Sequence, residues 1–216
     1  MSKQSSKQSS KQPGKQPGKK SGERLHRREV VSELLAGRGN ALVVAGLGAP
    51  AWDITHAGDR DLNFPLWGAM GGAALIGLGL ALAQPKRNVL VITGDGEMLM
   101  GLGALATIAV QAPRNLSIVV LDNERYGETG QQETHTAHGV DLAGMAKAAG
   151  FAQSFNVSTQ AEVSRLKKQI YAGEGTLFAQ VKVDMEKLPL VLPPREGSLL
   201  KNRFRIALLG PQAAHQ

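Results

Sequence analysis

The chain has 216 residues, 42% of them hydrophobic, which allows one ordinary domain with a real core plus extensions. Aromatic residues make up only 4%, so that core is aliphatic, as in proteins with a buried parallel sheet. The net charge of +7 suggests nucleic acid, but residues 1–22 hold six lysines and no acidic residue. Without them 19 basic residues face 18 acidic ones, so the folded part is nearly neutral.

The absence of cysteine excludes a disulfide scaffold or a Cys-ligated metal and fits a cytoplasmic location. Residues 1–22 repeat a Lys-Gln unit, KQSSKQSSKQPGKQPGKK, with nothing apolar to bury. They are predicted to be a disordered basic tail without a secretory signal core, followed by a domain over residues 23–210. The tail lacks arginine and aromatic residues, so base stacking on nucleic acid is not expected from it. Its remaining alternative is a non-catalytic role in anion or nucleic-acid binding.

Leu25, Arg28, Val31, Leu34 and Leu35 predict a short helix, and Ala41–Ala45 a buried strand followed by a glycine turn. Trp52–His56 reads as a short helix. Leu66 to Ala83 runs eighteen residues without a charge, the lower limit for a membrane span. Five glycines in that run favour instead a buried helix, Gly71–Ala83, reached through a glycine-rich loop. Val89–Thr93 is a second strand ending at Gly94. Leu99–Gln111 is read as one helix stopped by Pro113, and Leu116–Leu121 as a third strand. A polar loop follows to about Val140. Then come a helix at Asp141–Ala149, a strand at Phe151–Val157, a helix capped by Thr159 and a strand at Leu177–Val183. The last helix is Ser198–Leu209.

Strands alternating with helices imply an α/β fold with a parallel sheet covered on both faces. Ligands in such sheets bind beyond the C-terminal strand ends. The candidate loops are therefore Gly46–Pro50, Gly94–Glu97 and Asp122–Gly130.

Gly94-Asp95-Gly96 follows a strand and opens a helix, so its backbone can approach a phosphate closely and Asp95 offers a hard oxygen. Residues 97–121, 25 in number, separate it from Asp122-Asn123, which lies after the next strand. That interval is one helix plus one strand, so Asp95 and Asn123 should stand at neighbouring strand ends. Mg²⁺ takes six oxygens and often shares them with phosphates. Asp95, Asn123 and a main-chain carbonyl could supply three.

GDG followed by this interval and an Asn-containing pair resembles the cofactor motif of thiamine-diphosphate (ThDP) enzymes, in their diphosphate-binding domain. The resemblance implies Mg²⁺ ligands at Asp95, Asn123 and the carbonyl of Arg125, with Asp-Asn standing for the usual Asn-Asn. It implies that Met70, 25 residues before Asp95, supports the bent cofactor, and that the Gly68 carbonyl meets its aminopyrimidine. It also implies backbone contacts to diphosphate around Gly48, Gly94, Gly96 and Glu97. Glu97 stands where the family has a small residue, which leaves its backbone N–H, not its side chain, for phosphate. Helix packing is the alternative role for Met70.

NF..WGAMGGA at Asn63–Ala73, GDGEMLMGLGALATI at Gly94–Ile108 and LDNERYGETGQQETHT at Leu121–Thr136 extend the likeness. They resemble the sulfopyruvate decarboxylase β subunits and the C-terminal half of the phosphonopyruvate decarboxylases. That implies a 2-oxo acid decarboxylase, with the acetolactate-synthase-like carboligases as an alternative. In the family a glutamate on a separate pyrimidine-binding domain activates the cofactor. Only the tail and one helix precede the first strand here, so that domain is expected on an α subunit, in a hetero-oligomer. His135, in GQQETHT, is a candidate contact for the substrate's anionic group. A nicotinamide reading of Gly46-x-Gly48-x-x-Ala51 lacks an acidic residue ending the following strand.

Overall fold

The computed structural model describes residues 24–215. The Lys-Gln repeat lies outside them, so the predicted disorder of residues 1–22 falls outside the described structure.

The fold is α/β. Strands β1 (Leu42–Ala45), β2 (Asn63–Pro65), β3 (Val89–Gly94), β4 (Leu116–Asp122), β7 (Gln153–Val157) and β8 (Leu177–Lys182) form one parallel sheet in the order β2-β1-β3-β4-β8-β7. A small antiparallel hairpin, β5 (Arg125–Tyr126) and β6 (Gln132–Glu133), stands apart from it. Residues of the central strands alternate between two cores. Val43, Leu90, Ile92, Val119 and Val181 pack against α1 (Arg27–Leu35), α2 (Ala49–His56) and α7 (Gln160–Ala172). Val44, Val91, Ile118, Val120 and Phe178 face α3 (Ala73–Ala83), α5 (Ala104–Gln111), α6 (Leu142–Ala149) and α8 (Gly197–Leu209). Burial on both faces explains why these strands read as continuous apolar runs.

The uncharged run does form a helix, but only one face is buried: Ala73, Ala74, Gly77, Leu78 and Ala81 face the sheet, whereas Leu75 and Leu82 are exposed. A Cβ on Gly77 would lie 2.2 Å from Val91 Cγ2, so glycine brings α3 directly onto β3. Among the described residues no helix is long and apolar enough to cross a membrane. The capping boundaries also follow the sequence. Asp141 accepts from the Gly144 N–H, Gly150 turns left-handed after α6, and Thr159 and Glu162 form a reciprocal cap on α7.

Three local expectations fail. The helix expected over Leu99–Gln111 is two helices, α4 (Asp95–Met100) and α5, broken at Gly101–Gly103. A Cβ on Gly101 would meet the Gly71 carbonyl oxygen at 2.1 Å, so the break lets the chain before α3 lie against α4. Strand β2 was not expected, being only three residues at the sheet edge and ending in proline. The polar loop after β4 contains the β5–β6 hairpin and a 3-10 turn, His135–His138.

Candidate functional site

From β1 the chain crosses to β2 on one side and returns to β3 on the other. Such a reversal opens a crevice at the strand ends. There the three loops expected from sequence do converge. With Met70, they line a cavity of about 270 Å³ that includes Leu47, Asp95, Asn123, Arg125 and Tyr126. A larger, open hollow of about 580 Å³ borders His26, Arg28, His56 and Glu186. Two of its charged groups are already engaged: Arg28 binds Asp53 and the Pro189 carbonyl, and His26 binds Glu186. The smaller cavity is the better candidate because it sits on the strand ends and holds a buried carboxylate still open to a ligand.

That carboxylate is Asp95, the first residue of α4 and 2% exposed. Its Oδ2 accepts from the Thr134 hydroxyl at 2.5 Å. The Thr136 hydroxyl lies 3.2 Å from the same oxygen but 2.7 Å from Asp122 Oδ1, and its single proton favours the shorter contact. Asp95 Oδ1 takes no hydrogen bond from another described side chain. Burial raises the Asp95 carboxyl to about 6, against the Thr134 hydrogen bond and with help from the Asp122 charge.

Asp122, the last residue of β4, is fully buried but compensated. Its Oδ2 accepts from the Gln180 amide at 2.5 Å and the Lys182 ammonium at 2.6 Å, and the Glu124 N–H donates to Oδ1 at 3.1 Å. Burial acts to lower the Lys182 pKa, but hydrogen bonds to Asp122 and Glu124 outweigh it and raise it. Asp122, neutralised by Lys182, thus lies behind the cavity, while Asp95 lines it with no basic side chain bonded to it among the described residues, an arrangement that favours a cation.

Asn123 Oδ1 accepts the Arg125 N–H at 3.0 Å. This turn, with Glu124 at a φ of 63°, reverses the chain at the strand end. The Arg125 guanidinium points to Glu133 at 2.7 Å and the Met185 sulfur at 3.1 Å, so its main-chain carbonyl is the group left to serve as a ligand. Among the described residues no three His, Cys, Asp or Glu side chains form a metal cage. A cation here would need to complete its shell with ligand oxygens and water.

Met70 is 46% exposed and borders the cavity, so its surroundings are not those of a helix-packing residue. Gly94 and Gly96 line the cavity, while Gly48 and Gly68 do not. Gly48, at a φ of 83°, precedes α2, and Gly68 is half-buried in the Met70 loop. The Glu97 side chain is unavailable to phosphate. It accepts from the Thr93 hydroxyl at 2.5 Å and the Ala73 N–H at 3.3 Å. Burial pushes its carboxyl up, against these bonds. His135 is exposed and outside the lining.

The sequence reading overlooked Thr134, Thr136, Gln180 and Lys182, which hold the two aspartates. The first two had a signal. Thr134 and Thr136 alternate around His135, and the extended residue at 134 turns both inward, so the histidine between them faces out. The nicotinamide reading finds no support, since β2, the strand after α2, ends at Pro65 without a carboxylate.

A family model described as the C-terminal TPP-binding domain of thiamine pyrophosphate enzymes matches residues 49–181. The chain is 41% identical over 159 residues to sulfopyruvate decarboxylase subunit beta of Methanothermobacter thermautotrophicus, covering 74% of this chain and 82% of the relative. It is 34% identical over 187 residues to the subunit of the same name from Methanococcus maripaludis, covering 85% and 98%. Similarity to a Streptomyces viridochromogenes phosphonopyruvate decarboxylase is 35% over 175 residues, covering 81% of this chain but 44% of that protein. Among solved structures, a putative thiamin diphosphate-dependent enzyme from Mycobacterium smegmatis superimposes with a TM-score of 0.64 at 21% identity. That match covers 75% of this chain and 32% of the other, and it shows the shared fold.

Proposed function

Because the chain belongs to the thiamine pyrophosphate enzymes, as their C-terminal TPP-binding domain, we propose that it is the diphosphate-binding subunit of a Mg²⁺-dependent 2-oxo acid decarboxylase. Its substrates resemble sulfopyruvate or phosphonopyruvate, and its site is completed by an α subunit carrying the pyrimidine-binding domain. The observation that carries the reading is Asp95, buried at a strand end with one oxygen held by Thr134 and the other bonded to no described side chain, in a cavity shared with Asn123 and Met70.

These residues fit the cofactor. Asp95, Asn123 and the Arg125 carbonyl present hard oxygens at neighbouring strand ends, as Mg²⁺ requires. The Gly46 N–H donates to the Ile92 carbonyl at 2.9 Å, so the N–H groups of Leu47–Ala49 and of the Gly94–Glu97 loop are the ones that supply donors for a diphosphate. Met70 gives an apolar surface at the cavity mouth. When bound, thiamine diphosphate supplies the carbon nucleophile and electron sink for loss of CO₂ from a 2-oxo acid. This chain anchors and orients it: Thr134 fixes the Asp95 carboxylate, and the Asn123 turn fixes the second ligand. Two relatives covered at 82% and 98% of their lengths are themselves β subunits, which supports a partner chain as the source of the activating glutamate.

The test is reconstitution. The chain mixed with its α subunit, ThDP and Mg²⁺ should release CO₂ from sulfopyruvate or phosphonopyruvate, and either chain alone should not. Condensation of two 2-oxo acids without net aldehyde release would favour a carboligase instead.

A further inference from the structure

Glu97 occupies the meeting point of three loops, and nothing in its expected role as a backbone phosphate donor explains its side chain. One oxygen accepts from Thr93 at the end of β3, and the other accepts from the N–H of Ala73, the first residue of α3. Its Oε2 fills the space above Gly46, where a Cβ would approach to 1.7 Å. Alongside, the Gly71 carbonyl lies against Gly101, and no side chain could separate the Met70 loop from α4 there. Glu97 is 6% exposed. A buried carboxylate is costly unless it is hydrogen-bonded, and this one is bonded only to groups that carry cavity-lining loops.

We propose that Glu97 is a positioning residue that fastens the glycine turn after β1, the Met70 loop and the GDG loop to one another, setting where Met70 stands relative to Asp95. The inference rests on the ThDP reading for its functional consequence, but not for its structural one. A glutamine keeps the shape and an acceptor for the Ala73 amide, and its NH₂ can donate to the Thr93 oxygen. An alanine keeps nothing.

The test measures amide hydrogen exchange at Ala73 in the assembled complex, together with ThDP affinity at saturating Mg²⁺. Glu97→Ala should speed exchange at that amide about tenfold and weaken ThDP binding by a similar factor, the scale of a lost hydrogen bond. Glu97→Gln should restore both to near wild type. Wild-type protection and affinity in Glu97→Ala, or failure of Glu97→Gln to rescue a folded complex, would overturn the proposal. If the wild-type complex bound no ThDP while the exchange pattern held, the cofactor reading would fail and the loop-fastening role would stand.

Discussion

The two ends of the sheet handle buried polar groups in opposite ways. At the N-terminal ends, apart from Arg38 before β1, which is buried with Nη1 and Nη2 unpartnered, the groups are neutral and paired with backbone. The Asn115 amide lies 3.1, 3.1 and 2.8 Å from the carbonyls of Ala81, Gln84 and Arg87, closing the end of α3. Asn88 donates to the Tyr171 carbonyl, and Thr176 to that of Pro113. At the C-terminal ends the groups are carboxylates: Asp95, Glu97 and Asp122. Asp95 is left with one oxygen to which no described side chain is bonded. One end satisfies the chain's own backbone, which contributes stability. The other holds charge that the fold alone does not neutralise, which makes it suited to binding.

The sharpest way to break this contrast is Asp95→Ala. Mg²⁺-dependent ThDP binding by the complex should weaken by more than about 100-fold, exceeding the ~10–100-fold typical for losing a partner of a metal ligand. Thermal stability should hold or rise, because a costly buried carboxylate is gone. Calorimetric titration and a melting curve on the same sample would show both. Thr134→Val removes the hydroxyl that holds Asp95 Oδ2 and should weaken Mg²⁺ affinity by about tenfold, the lower part of that range. At the opposite end, Asn115→Ala should cost about 1–3 kcal/mol of stability in denaturant unfolding while leaving ThDP affinity unchanged. A loss of affinity there would mean that the two ends are not separable.

The smallest effect concerns pH. A hydrogen bond to Glu186, reinforced by its charge, raises His26 above its ordinary 6.5. A raised histidine binds its proton more tightly when folded. Its stabilisation is therefore complete below about 6.5 and disappears as pH rises through the higher folded value. The melting temperature should fall slightly across that window in the wild type, and His26→Asn should flatten that part of the curve.

Much of the binding end was legible in the sequence because its signals are local to strand ends. GDG after an apolar run, and Asp-Asn one helix and one strand later, place Asp95 and Asn123 on adjacent strands, and β3 and β4 do pair in register from Val89 with Leu116 to Gly94 with Leu121. What escaped depends on distant partners. The break between α4 and α5 answers to Gly71, thirty residues before Gly101. Lys182 neutralises Asp122 only because β8 lies beside β4. Glu97 looked like a misplaced residue in a phosphate loop until its bonds to Thr93 and Ala73 showed where its carboxylate goes. The β2 strand was too short to carry a pattern.

The most direct test of the account is native mass spectrometry of this chain purified gently from its own cells, with ThDP assayed in the same sample. The account predicts a hetero-oligomer in which a second chain accompanies this one, with bound ThDP that is lost on chelation of Mg²⁺. A homo-oligomer or lone chain without ThDP would contradict it.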